Sequence, residues 1–320
     1  MPRQTTANTV EEEIRNPRKA PAMLEVTDIT RSFGTRKVLD DVSFTVGDGR
    51  MTGFVGGNGA GKTTTMRIIL GVLSSDSGTV SLDGTRLTPA DRALFGYMPE
   101  ERGLYPKMKV TEQIVYLGRL HGMSAAAAAK STAALLERLG LGERADATVE
   151  SLSLGNQQRA QIAAALVHDP SVLVLDEPFS GLDPMAVETV QAVLAEHAAQ
   201  GAPVLFSSHQ LDIVERLCDD LVVIADGRIR AQGSREELRQ SHSEPRYEIE
   251  LAGDAGWVRD VPGATVLDLD GCFAQFEVER GPEGERAAQL VLQRALAAGP
   301  VLRFAPLRPS LSQIFKEVVK

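Results

Sequence analysis

Between Gly56 and Thr63 the chain reads GGNGAGKT: glycines, an asparagine and an alanine, then a lysine and a threonine. Glycine tolerates positive φ and close approach, so the N–H groups of Gly56, Gly57, Asn58, Gly59, Ala60 and Gly61 can turn toward one centre and surround an anion. A helix opening at Lys62 adds unpaired N–H groups and the positive end of its dipole to the same centre. Lys62 supplies a mobile cation for phosphate, the Thr63 hydroxyl is a hard oxygen ligand suited to Mg²⁺, and Thr64 starts the helical run. The spacing is that of the G-x-x-x-x-G-K-[ST] phosphate loop. A ligand-free turn is the alternative, but Thr52 to Val55 reads as a buried strand and Thr64 to Leu70 as a helix, the setting the motif needs.

Two further groups could act on a bound nucleotide. Asp176 and Glu177 end the apolar run Val172 to Leu175, and ligands of open α/β sheets gather beyond the carboxyl ends of such strands. One carboxylate can hold Mg²⁺ through water while its neighbour polarises an attacking water; a helix-starting cap ahead of Pro178 is the alternative, and the preceding phosphate loop favours the catalytic reading. Phe33, ahead of the loop, can stack on a base, although a lone phenylalanine is more often core. His209 closes the strand Val204 to Ser207; alone it would be a cap or a surface residue, as expected for His121, His168, His197 and His242.

The elements that must position these groups follow from periodicity. Leu24 to Phe33 alternates and Val42 to Val46 follows, predicting a small antiparallel sheet, with a further hairpin around Asp83-Gly84. Phe95 to Val110 reads as a charged loop. Thr111 to Leu141 is helical in period, with Ile114, Leu117 and Leu120 on one face and Leu135, Leu136 and Leu139 on another. Ser151 to Arg159 opens a helix that stops at Pro170, and Pro184 starts another. The run Val172 to Leu175 is apolar throughout, as in a parallel strand buried on both faces. Leu221 to Ala225 and Ile229 to Gln232 form a hairpin through Asp226-Gly227, followed by a short helix capped by Ser234.

Beyond a linker at Ser241 to Pro245 the order is strand, short helix (Trp257 to Val261), strand, strand, helix (Gly284 to Ala298), strand, helix (Ser310 to Val319). This predicts a ferredoxin-like α+β unit whose longer helix presents Ala288, Leu290, Val291, Leu292 and Leu296. The expected division is a disordered tail over 1–22, a nucleotide-binding domain over 23–240 and an accessory domain over 241–320.

A net charge of −9 over 320 residues disfavours broad binding to nucleic acid. No run of about eighteen apolar residues occurs, so no membrane span is expected, and the opening residues lack the apolar stretch of a secretory signal. Cys218 and Cys272 are the only cysteines, too few for a disulfide framework, and are expected to be packing residues in a reducing compartment.

With these motifs in order, the stretch Leu24 to Gly233 resembles the ATP-binding subunits of ABC transporters. Leu152 to Arg159, LSLGNQQR, is similar to the family signature, and Ser180 to Pro184, SGLDP, to its D-loop with Asp183. The resemblance implies a P-loop ATPase of ABC type: a mixed α/β core with an antiparallel β subdomain and a helical one. It implies ATP and Mg²⁺ as ligands. Two copies would dock head to tail, each phosphate loop facing Ser153 and Gly155 of the other. Glu177 would be the base, Asp176 and Thr63 the Mg²⁺ ligands, His209 the sensor of the γ-phosphate and Phe33 the adenine platform.

Departures from the family pattern are Gly57 for proline, Leu154 and Asn156 in the signature, and Glu100 where a metal-touching glutamine is usual. Glu100 still offers oxygen to the metal. PEERGLYPKM together with LSLGNQQR resembles exporters of the ABC-2 type, similar to sodium or drug efflux ATPases with an extra C-terminal domain. Such a subunit would lie on the cytoplasmic face of a membrane through a separate permease, held in a groove near Glu100 to Lys109.

Two other classes fit less well. A soluble ABC ATPase acting on ribosomes or DNA would carry a second ATPase domain or long heptads between Lys62 and Ser153, and neither is present. A GTPase or nucleotide kinase would leave LSLGNQQR unexplained. The C-terminal unit lacks paired acids or a phosphate loop; it is expected to touch its counterpart and tether the open dimer, with a passive cap as the alternative.

Overall fold

A computed structural model describes residues 22–101, 103–241 and 245–307, together with Gln313 and Phe315. The tail expected over 1–22 falls outside them except for Ala22, as do His242, most of the linker and most of the helix expected over Ser310 to Val319.

The chain begins with β1 (Leu24–Phe33) and β2 (Arg36–Val46), then enters the core at β3 (Met51–Val55) and turns into α1 (Lys62–Ile69). It returns to the first sheet as β4 (Ser77–Leu82) and β5 (Thr85–Arg86), passes through α2 (Pro89–Arg92) and re-enters the core as β6 (Phe95–Met98). The helices α3 (Val110–Leu120), α4 (Ala125–Arg138) and α5 (Leu154–Leu166) form the helical unit. Next come β7 (Val172–Leu175), α6 (Pro184–Ala199), β8 (Val204–Ser208), α7 (Leu211–Leu217), the hairpin β9 (Asp220–Ala225) and β10 (Arg228–Ser234), and α8 (Arg235–Ser241). The last unit runs β11 (Arg246–Leu251), β12 (Ala264–Asp270), β13 (Phe273–Val278), α9 (Pro282–Ala298) and β14 (Val301–Leu307).

Three sheets result. The first, in the order β2-β1-β4-β5, is antiparallel, and the second, β10-β9-β3-β8-β7-β6, is parallel except at β10. Alternate residues of the second sheet serve two cores. Phe54, Val172, Val174, Leu205 and Val222 pack toward the small sheet and α1. Val55, Leu173, Leu175, Phe206 and Val223 pack toward the helical side. A period of two on a sheet buried on both faces makes strands apolar throughout. The rings of Phe44 and Phe54, 5.2 Å between centroids, join the two sheets. The third sheet has the order β12-β13-β11-β14, the antiparallel arrangement expected of a ferredoxin-like unit, and α9 packs on it through Ala287, Ala288, Val291 and Ala295.

Several expectations are corrected. Phe95 to Met98 is a strand rather than loop, because it pairs in parallel register with Val172 to Leu175 at the sheet edge; four residues are too few to show a period. On α3 the buried residues are Val110, Gln113, Ile114 and Gly118, and Leu120 is 63% exposed. Leu120 is the last residue of α3, two residues past the buried Gly118, where the helix has run beyond its core. Leu296 is 65% exposed because it turns 100° past the buried Ala295, away from the face of α9 that meets the core. The short helix expected at Trp257 to Val261 is a 3₁₀ turn over Gly256–Asp260. The helix α7 has no counterpart in the sequence reading. Cys218 is buried as a packing residue, but Cys272 is exposed. His197 is buried rather than surface-placed, and His121 and His168 stack on each other with ring centroids 3.7 Å apart.

Candidate nucleotide site

The loop between β3 and α1 lies at the carboxyl end of the central strand, with β8 and β9 on either side. Its glycines are needed for contact as well as for dihedral freedom. A Cβ at Gly56 would stand 2.4 Å from the Ile224 carbonyl oxygen, and Gly61, with φ +111°, is the N-cap of α1. Gly57 differs: a Cβ there meets nothing within 4 Å, so this departure from the family pattern removes no contact. Lys62 is 8% exposed and folds back over the loop, its Nζ donating to the carbonyls of Gly56 at 2.7 Å and Gly57 at 3.3 Å. Those carbonyls hold the ammonium beside the N–H groups, leaving a cationic rim on the cavity.

The acids lie against this loop. Thr63 Oγ1 donates to Asp176 Oδ2 at 2.8 Å, and Ser207 Oγ donates to Asp176 Oδ1 at 2.5 Å. The Glu177 N–H in turn donates to Ser207 Oγ at 2.9 Å. Glu177 has φ +54°, a left-handed conformation uncommon for a non-glycine residue. Its peptide is fixed on both sides, since Gln158 Nε2 donates to the carbonyls of Glu177 at 2.9 Å and Pro178 at 3.1 Å. Strain held in this way collects where a side chain must be aimed. The aimed carboxylate meets His209, whose Nδ1 is 2.9 Å from Glu177 Oε2. Tyr97 stands nearby; burial first, and the Asp176 charge second, push its phenol above its ordinary pKa.

A cavity of about 540 Å³ joins these groups, lined by Asn58, Gly59, Gly61, Lys62, Thr63, Thr64, Glu100, Asp176, Glu177 and His209 on one side and by Phe33, Arg36 and Val38 on another. Phe33 is 49% exposed, not core, and the Arg31 guanidinium lies over its ring at 4.9 Å from the centroid. Of the expected site residues, Gly56, Gly57 and Ala60 belong to the phosphate loop without lining the cavity, and three others lie away from it. Ser153 caps α5, accepting from Asn156 N at 3.3 Å; Asp183 caps α6, accepting from Ala186 N at 2.8 Å; and Gly155 faces Gly181 and Leu182. Sequence reasoning missed Ser207, Gln158 and Arg36. A serine ending a strand two residues before His209 was the available signal for the first; the other two are placed only by tertiary contact.

An anion cradle with a buried cation, two oriented carboxylates and an aromatic wall defines a nucleoside-triphosphate site of the P-loop class. Comparison with known proteins sharpens that. Residues 39–180 match the family described as ABC transporter, and residues 233–319 match the C-terminal domain described as ATP-binding protein DrrA1-3-like. The uncharacterized ABC transporter ATP-binding protein YhaQ of Bacillus subtilis (strain 168) is 37% identical over 297 residues, 93% of this chain and 98% of that protein. The Nod factor export ATP-binding protein I of Ralstonia nicotianae is 41% identical over 248 residues, 77% of this chain and 75% of its own. Among solved structures, the ATP-binding subunit of an ABC transporter superposes with a TM-score of 0.63 at 34% identity, covering 68% of this chain and 92% of that one. The chain belongs to the ATP-binding subunits of ABC transporters.

Proposed function

We propose that this chain hydrolyses ATP in a head-to-tail pair of copies and couples the cycle to export through a separate membrane permease. The observation that carries the reading is the division of labour between neighbouring acids: Asp176 turned to Thr63, Glu177 turned to His209. Lys62 and the loop N–H groups bind the phosphates, and Phe33 offers a ring face to adenine. Thr63 and Asp176, with Glu100 on the same wall, are an all-oxygen donor set that fits Mg²⁺; when bound, the ion neutralises phosphate charge. Glu177 takes a proton from water as the water oxygen bonds to the γ-phosphorus and the bond to the bridging oxygen breaks, giving ADP and phosphate. His209 orients that carboxylate and reads the γ-phosphate.

Ser153, Gly155 and Asp183 lie outside the cavity, as they would if they completed a partner's site across the dimer. Export is supported by the similarity to Nod factor export proteins. The permease's docking place in this proposal is a groove walled by Tyr105, Pro106 and Met108 of the segment that joins β6 to α3 and by Tyr116 of α3. Among the described residues no helix is long and apolar enough to cross a membrane, and attachment to the cytoplasmic face through the permease follows from the proposal.

The test is Glu177→Gln, which keeps shape and loses the base. It should bind ATP with wild-type affinity, lose hydrolysis by roughly a hundredfold or more, in the range of general-base removal, and elute as a dimer with Mg-ATP. Unchanged turnover beside a monomeric profile would refute the assignment.

A further inference from the structure

Far along the chain from the acids, a second cavity of about 290 Å³ opens between the end of α1 and the small sheet, lined by Gly71, Ser74, Ser75, Thr79, Arg86 and Arg92 among others. No carboxylate lines it, which is notable in a chain of net charge −9. Arg92 is half-buried and held in place: its Nε donates to the Ile69 carbonyl at 2.9 Å and its Nη1 to the Leu87 carbonyl at 3.0 Å. Gly71, with φ +72°, makes room for it, since a Cβ there would stand 2.7 Å from Arg92 Cδ. The neighbouring acid, Asp91, is turned away and accepts from Thr88 N at 2.8 Å and Thr88 Oγ1 at 2.7 Å. Arg86, on the two-residue strand β5, is exposed, and its side chain makes no hydrogen bond or ion pair among the described residues. Burial first, and the Arg86 charge second, hold the Arg92 pKa below its ordinary value.

Two guanidiniums that line one cavity with no carboxylate among its walls raise each other's energy, and a bound anion relieves that. Their planar forks match phosphate oxygens, and the hydroxyls of Ser74, Ser75 and Thr79 add neutral donors at the rim. The cavity is about half the volume of the nucleotide cavity, too small for a second nucleotide. We infer that Arg86 and Arg92 form a second anion site, distinct from the phosphate loop, that takes a phosphomonoester group, carried either by a small soluble molecule or by a lipid headgroup.

The experiment uses the purified full chain with the phosphate loop filled by a non-hydrolysable ATP analogue and Mg²⁺, titrated calorimetrically with inorganic phosphate. One further equivalent should bind. Arg86→Gln, at an exposed position away from the nucleotide cavity, should weaken it by roughly ten- to a hundredfold, the range for losing one charge-assisted hydrogen bond, with analogue affinity unchanged. Phosphatidylcholine vesicles with and without phosphatidate separate the sources. Co-sedimentation that needs phosphatidate and is lost in Arg86→Gln assigns a lipid headgroup; phosphate binding without co-sedimentation assigns a soluble ligand. Equal phosphate binding by wild type and Arg86→Gln, or binding of neither probe, overturns the site.

Discussion

Ser207 links Asp176 to Glu177. Its single hydroxyl donates to Asp176 Oδ1 and accepts from the Glu177 N–H, so the Asp176 carboxylate and the Glu177 backbone share one anchor. Ser207→Ala leaves a buried carboxylate oxygen and a buried N–H without that partner, at about 1–3 kcal/mol. Where that cost falls on the aimed state, turnover drops by roughly tenfold or more. Steady-state kinetics beside a nucleotide titration checks this, and an unchanged kcat would show that the anchor is not needed. Cys218 makes a second residue-scale case. Burial pushes its thiol up to about 12, and its Sγ donates to the Val214 carbonyl at 2.8 Å. The reactive thiolate is therefore absent from the folded chain at pH 8. Iodoacetamide at that pH should label the exposed Cys272 alone, and both cysteines only after denaturation, as read by peptide mass spectrometry. Labelling of Cys218 in the folded chain at the rate of Cys272 would contradict its burial.

At the scale of elements, the β9–β10 hairpin acts as a brace for the phosphate loop. Asp226 and Gly227 both have positive φ, +50° and +73°, as a tight two-residue turn between twisted strands requires. Gly227 N donates to the Ala60 carbonyl at 3.2 Å, and Asp40 N donates to the Gly227 carbonyl at 2.8 Å, so the turn ties the loop to β2. A Cβ at Gly227 would stand 2.3 Å from the Val38 carbonyl oxygen. Backbone must move to admit it. Gly227→Ala should cost about 2 kcal/mol or more and weaken ATP binding, because the displaced backbone includes Val38 on the cavity wall. Urea unfolding and nucleotide titration read the two effects, and a variant with wild-type midpoint and affinity would rule out the brace.

For the whole molecule, the unit after Ser241 has its own core around Ile249, Phe276 and Val291, while Phe315 packs against the large core of the nucleotide-binding part. The end of the chain thus reaches back to the nucleotide-binding part, the contact expected of a cap. Tethering of two copies remains the reading with the sharper consequence. Truncation after Ser241 should leave nucleotide binding per chain intact and make ATPase activity steeply dependent on protein concentration, because the pair then re-forms only by collision. Activity with the same concentration dependence as the full chain would leave capping as the role of the domain.

The phosphate loop, the paired acids after an apolar strand, the signature and most of the order of strands and helices, β6 and α7 apart, were legible in the sequence. Each is local: a glycine pattern, a run of apolar residues or a fixed spacing determines it without reference to distant parts. Even Glu177 could be singled out in this way, from its place at the end of β7. What aims it could not be. Ser207 and Gln158 lie thirty and nineteen positions away, and Arg36 joins the cavity only because the small sheet packs on the large one. The same limit explains β6, whose four residues carry no period and become a strand only through β7. It also explains Leu120 and Leu296, whose apolar character was visible while their facing was decided by which side of the helix met a core. Local propensity determined most of the elements; burial and hydrogen bonding across the sequence decided the rest, and with them which side chains reach the site.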